Sequence, residues 1–127
     1  MNATVVSLQD ARPRGRWAIE SALAESDLPA PARLVLYDLL RRSDASTAVI
    51  PERFSPSIAA IAQATGLSTA TVKRALNSAE QAGWVTRTRH PHQSRDHDPT
   101  SYAIHTPLGW LTESQGLAHT EPGVGSQ

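Results

Sequence analysis

A chain of 127 residues holds one core of modest depth but not two independent ones, so a single folded unit is expected. Its 12 lysines and arginines balance 12 acids, which leaves the class of partner open because a local field depends on where charges sit and not on their sum. The absence of cysteine excludes disulfides, thiolate nucleophiles and cysteine-ligated zinc; with no apolar run near the roughly 20 residues that cross a bilayer and no secretion-signal pattern, a cytoplasmic protein is expected.

Residues 1–16 have few large apolar side chains beyond Val5, Val6 and Leu8 and end in "ARPRGR", which predicts a flexible arm. From Trp17 to Ser26, Ala18, Ile19, Ala22 and Leu23 recur at helical spacing, and "DLPAP" stops that helix. Pro31 opens a second helix through Arg42, with Val35, Leu36, Leu39 and Leu40 as its buried stripe. "SDASTAVIP" has a loop's composition, and "ERF" after it predicts a very short strand. Ser55 and Pro56 together read as a cap and first helical residue, with Ile58, Ile61 and Ala62 facing inward. The next helix runs from Ser68 to about Ala82, where Gly83 serves as its C′ residue and Val72, Ala75, Leu76 and Ala79 line one face. "WVTRTR" and "SYAIHT" (Ser101–Thr106) alternate as strands, the second with Tyr102 and Ile104 on one face, around the polar loop "HPHQSRDHDP". Residues 107–127 read as a largely disordered tail in which "LGWL" can dock Trp110 on the domain.

The expected fold is therefore mainly α with a small β-hairpin: a three-helix core plus wing over residues 17–106, with the Trp17 helix additional. Between its central helices, "ATGLS" needs Gly66 in a backbone conformation that other residues resist, Ala62 must be small for close crossing, and Ile61, Leu67, Val72 and Leu76 lock the pair. At those positions the chain resembles a helix-turn-helix, and the following strands make it look like a winged one. "SIAAIAQATGLSTATVKRALNSAEQAGWV" is similar to the DNA-binding halves of GntR-type regulators and of plasmid or phage replication proteins, over about Pro31 to Thr106.

Burying the apolar face of the Ser68 helix turns Ala70, Arg74, Asn77 and Gln81 outward, flanked by Thr71 and Lys73. Ser68, Thr69, Thr71, Lys73, Arg74 and Asn77 are expected to face a duplex, because a recognition helix enters the major groove by its amino-terminal half. A solvated helix face also displays Lys, Arg and Asn, but here the cations from Arg53 to Arg95 meet only Glu80, while acids gather elsewhere at Glu20, Glu25, Asp27, Glu113 and Glu121. Arg87 and Arg89 share a strand face with Val85, and with His92 and Arg95 of the wing they are assigned to phosphate or minor-groove contact. Asp96 and Asp98 weaken that assignment.

His90, His92 and His97 could in principle converge with Asp96 or Asp98 on a metal, but nothing rigid fixes them; no metal and no cofactor is expected. Their titration instead predicts tighter nonspecific DNA binding at about pH 6 than at about pH 8. Without a P-loop, a Gly-x-Ser-x-Gly or a rigid carboxylate pair, an enzyme is not expected. The reading is a sequence-specific double-stranded DNA-binding homodimer, a transcriptional regulator of bacterial, plasmid or phage type. Its rivals are an origin-binding replication or partition accessory protein, or an adaptor binding a protein partner through the Trp17 helix or the Trp110 segment.

Overall fold

The computed structural model describes residues 12–91 and 100–110. Among them are four α-helices and a three-stranded antiparallel sheet: α1 (Gly15–Ala24), α2 (Ala30–Arg42), β1 (Val49–Ile50), a 3₁₀ turn (Glu52–Phe54), α3 (Ile58–Thr65), α4 (Thr69–Gln81), β2 (Val85–Arg89) and β3 (Thr100–Ile104). This is the expected winged helix-turn-helix with an added first helix.

The first helix starts at Gly15, two residues ahead of expectation, because the segment before it is tied to the domain. Arg12 donates from Nη1 to the Thr106 carbonyl (2.9 Å), and the Arg16 N–H donates to the Ala45 carbonyl (2.8 Å). Arg16 also reaches the carbonyls of Arg41 and Ser43 at the end of α2 (both 3.3 Å). Residues 12–16, expected to belong to an arm, thus lie against the folded unit. Residues 1–11 fall outside the described residues.

Helix α2 buries Ala32, Val35, Leu36, Leu39 and Leu40 on the stripe its spacing predicts, and it also buries Asp38. A buried carboxylate needs partners. Asp38 takes them one turn ahead, accepting from Arg41 Nε (2.9 Å) and Arg42 Nε (2.8 Å), so both cations of this helix end are occupied within the chain.

Asp44 closes the following turn. Its Oδ2 accepts from the backbone N–H and hydroxyl of Ser46 and from those of Thr47, at 2.8–3.1 Å. These bonds, led by that from the Ser46 hydroxyl, hold the Asp44 carboxyl below its ordinary value of 3.8. A depressed carboxyl stabilises the fold above its unfolded pKa, and that contribution is lost as pH falls through the folded value. The thermal advantage of the wild-type chain over Asp44→Ala should therefore be complete at neutral pH and shrink below pH 3.8. An advantage that stays constant down to about pH 2 in calorimetric scans contradicts this origin.

"ERF" is not a strand: the short strand is β1, just before Pro51, and it pairs with β3 at Val49↔Ala103 and Ile50↔Tyr102. Proline lacks the N–H needed to continue the ladder, and Glu52–Phe54 winds into a 3₁₀ turn with Phe54 N–H on the Pro51 carbonyl and Ser55 N–H on that of Glu52. With Ser55 committed to ending that turn, the cap of α3 moves to Ser57, whose hydroxyl accepts from Ala60 N–H at 3.0 Å.

Helices α3 and α4 cross through the expected glycine turn. Gly66 adopts φ +79°, a left-handed conformation in which its N–H closes on the Ala62 carbonyl (2.8 Å). A Cβ there would touch nothing, so backbone conformation and not space demands glycine. Leu67 packs against the core from below, and Ile61, Ala62, Val72, Ala75, Leu76 and Ala79 are buried between the helices.

The sheet order is β1-β3-β2, with β2 and β3 in register from Val85↔Ile104 to Arg89↔Thr100. The third strand runs Thr100–Ile104 where Ser101–Thr106 was expected, and Tyr102 and Ile104 are buried on one face as predicted. Trp84 plugs the junction of α4 and β2, and Trp110 stacks edge-on to it at 5.3 Å between ring centroids. Pro107–Trp110, expected to open the tail, thus fold back on the core; residues 111–127 lie outside the described residues. No helix among the described residues is long and apolar enough to cross a membrane.

Candidate nucleic-acid interface

Ser68 builds the entrance of α4. Its hydroxyl accepts from Thr71 N–H (3.1 Å) and donates to Thr71 Oγ1 (2.9 Å), capping orphan amides and fixing the first turn. No acid sits in that turn, so the positive end of the helix is uncompensated. The hydrophobic quartet below leaves Ser68, Thr69, Lys73, Arg74 and Asn77 exposed and Thr71 half-buried. Arg74 reaches back through Nη2 to Thr71 Oγ1 at 3.3 Å. Five of the six residues expected to read a duplex are therefore exposed on α4 or its cap, with Thr71 half-buried among them.

Strand β2 continues this surface. Val85 is buried, so the face it shares with Arg87 is the one turned toward α4. Arg87 accordingly bridges strand and helix: Nε and Nη2 donate to Glu80 Oε1 (2.9 and 2.7 Å), its backbone N–H meets Glu80 Oε2 (3.3 Å), and Nη2 also donates to Asn77 Oδ1 (2.8 Å). Arg89, two residues on, is exposed. It lines a groove with Arg53, Glu52, Ser57, Arg87 and Tyr102, between the start of α3 and the strands. Across the ladder from Arg87, burial pushes the Tyr102 phenol above its ordinary value, partly offset by that guanidinium.

His90, just past β2, has Nδ1 at 3.1 Å from Glu52 Oε1 and Nε2 at 2.9 Å from Ser101 Oγ. His92 and Arg95, assigned to the wing, lie outside the described residues, as do His97, Asp96 and Asp98 of the metal alternative. Of the aromatic partner sites, Trp17 is 71% exposed with the Arg16 guanidinium 5.6 Å above its ring, whereas Trp110 is spent on Trp84.

With a capped helix, a glycine turn and a strand-borne wing base on one side, the MarR family model matches residues 26–96, more than half of the chain. The chain belongs to the MarR family. It is a winged-helix, DNA-binding type of transcriptional regulator. No curated protein and no solved structure matches it. The family match supports the winged-helix domain but not the GntR resemblance specifically. Its carriers, Ile61, Ala62, Gly66, Leu67, Val72 and Leu76, are buried or turn-forming residues that fix a helix crossing many families share, and none of them distinguishes one family from another.

Within this MarR-family domain, the sequence does not show the roles of three residues of the surface. Glu80 reads as a lone opposing acid but is the anchor of Arg87, and Arg53 and Glu52 join the wing base only because β1 and β3 bring the 3₁₀ turn there. The Glu80–Arg87 pairing had one signal: a strand residue two steps from buried Val85 must face inward, where the helix ahead of Gly83 carries Glu80.

Proposed function

We propose that this MarR-family chain binds specific double-stranded DNA sequences as a homodimer, reading the major groove with α4 and gripping phosphate with the wing. The observation that carries this reading is the continuity of the surface. Lys73 and Arg74 lie within one turn of Asn77, Asn77 is bonded to Arg87, and Arg87 shares its groove with Arg89 and Arg53. Side chains suited to base edges thus adjoin cations suited to phosphates. The bacterial, plasmid or phage setting belongs to the same proposal, as does the assignment of Arg89, His92 and Arg95 to the backbone side of the contact; Arg87, assigned there from the sequence, is instead held by Glu80 and Asn77.

Dimerisation follows from the small area one module covers, which paired half-sites about one helical turn apart would double. The exposed Trp17 on α1 is a surface on which a second copy can pack. Sedimentation that finds a monomer at micromolar concentration, both alone and on DNA, rejects the dimer.

Selection of bound duplexes from a random pool tests the reading. Arg74→Ala should relax the selected motif at one or two base pairs, at a cost of about 1–3 kcal/mol, whereas Arg89→Ala should weaken all sequences alike. If Arg74→Ala leaves both motif and affinity intact, α4 is not the reading element.

A further inference from the structure

Asn77 stands where α4 would meet base edges, and its side-chain amide is not free to choose which end it presents. The guanidinium of Arg87 carries donors only, so the group that meets its Nη2 at 2.8 Å must be the Asn77 carbonyl oxygen; the amide nitrogen there would set donor against donor. Amide orientation is thus fixed by chemistry. Arg87 in turn cannot swing away at little cost, because Glu80 takes its Nε, its Nη2 and its backbone N–H. Charge-assisted bonds of this kind are short and strong, and this pair is partly shielded, with the side chains 26% and 37% exposed. Among the described residues Asn77 Nδ2 donates to nothing.

We infer that the Glu80–Arg87 pair acts through Asn77 to set base preference, making Asn77 a donor that selects a base with acceptors on its major-groove edge, guanine or thymine. This rests on the DNA-reading role of α4 proposed above. An unrestrained asparagine suits adenine, donating to N7 and accepting from N6. With its oxygen held by Arg87, Asn77 keeps only the donor half of that pairing. Guanine offers O6 and N7, and thymine offers O4, to the two N–H bonds of Nδ2; adenine leaves its amino group unmatched, and cytosine sets its N4 amino group against the amide. Glu80 and Arg87 are positioning residues here, since neither needs to touch the base.

The experiment is duplex selection from a random pool with the full chain and three variants, each checked by thermal unfolding. Asn77→Ala locates the base pair concerned. At that pair the wild-type chain should favour guanine or thymine over adenine by about tenfold, the equivalent of about 1.4 kcal/mol. Arg87→Met releases the amide, and adenine should rise to at least parity. Asn77→Asp keeps an acceptor for Arg87 but turns an oxygen outward, so preference should invert toward cytosine or adenine; as a surface change it also decides the matter if Arg87→Met does not fold. Adenine preferred by the wild-type chain, a base preference unmoved by Arg87→Met in a folded protein, or no inversion with Asn77→Asp overturns the inference. A motif that responds to Arg74→Ala but not to Asn77→Ala overturns it alone, whereas a pool that enriches nothing overturns the DNA-reading role and this inference together.

Discussion

Duplex affinity is expected to fall on the order of a thousandfold as salt is raised from about 50 to about 200 mM. A chain with no formal net charge would not ordinarily be assigned so steep a dependence. The distribution of its cations supplies the reason. Arg41 and Arg42 are bound to Asp38, Arg16 caps the end of α2, Arg12 holds the Thr106 carbonyl, and Arg87 is neutralised by Glu80. Arg53, Lys73, Arg74 and Arg89 are all exposed, and they lie on α4 and the groove beside it. In the proposed dimer, two copies on paired half-sites would bring roughly six to eight such cations to phosphate, and each neutralised phosphate contributes about 0.9 to the slope of log affinity against log salt. Fluorescence anisotropy with a labelled duplex measures that slope directly. Lys73→Ala should reduce it by about one per copy while leaving the selected motif in place. A slope near zero would mean that the exposed cations face water and not DNA.

What could be read in advance divides along a physical line. Local rules carried the helices: Val72, Ala75, Leu76 and Ala79 recur at helical spacing and all four are buried, Ser68 caps α4, and Gly66 takes the left-handed turn that "ATGLS" implies. Local rules failed where two of them competed. Ser55 ahead of Pro56 satisfies the rule for a cap, but the 3₁₀ turn claims the Ser55 N–H and the cap falls to Ser57. Sheet pairing supplied the remainder. Nothing within a two-residue strand predicts that Val49 and Ile50 will pair with a strand some fifty residues on, yet that pairing carries Arg53 and Glu52 to the wing base. The uneven charge pattern in the sequence does not show how its members pair. Glu80 does not dilute the cationic surface at large; it removes one arginine from it and lends that arginine to Asn77.

Leu76→Ala should lower stability by about 2–5 kcal/mol and the melting temperature by roughly 10–30 °C, the largest effect expected from a single truncation on α4. Leu76 is fully buried on the face that α4 turns toward α2 and α3, alongside Val72 and Ala75 and above the Leu36, Leu39 and Leu40 stripe. Removing its three outer carbons loses the transfer free energy of those atoms and leaves a cavity that four rigidly connected helices cannot collapse around. Against a total stability of about 5–15 kcal/mol the loss is large, so the variant should be partly unfolded near its shifted midpoint and appear weak in DNA binding there. At a temperature where calorimetry shows it fully folded, however, its selected motif should match that of the wild-type chain, because Arg74 and Asn77 leave the opposite face of the same helix. Arg74→Ala should do the reverse, relaxing the motif while leaving the melting temperature within a few degrees. A Leu76→Ala variant that is folded but reads a different motif would show that packing under α4, and not the identity of its outward side chains, sets what the helix recognises.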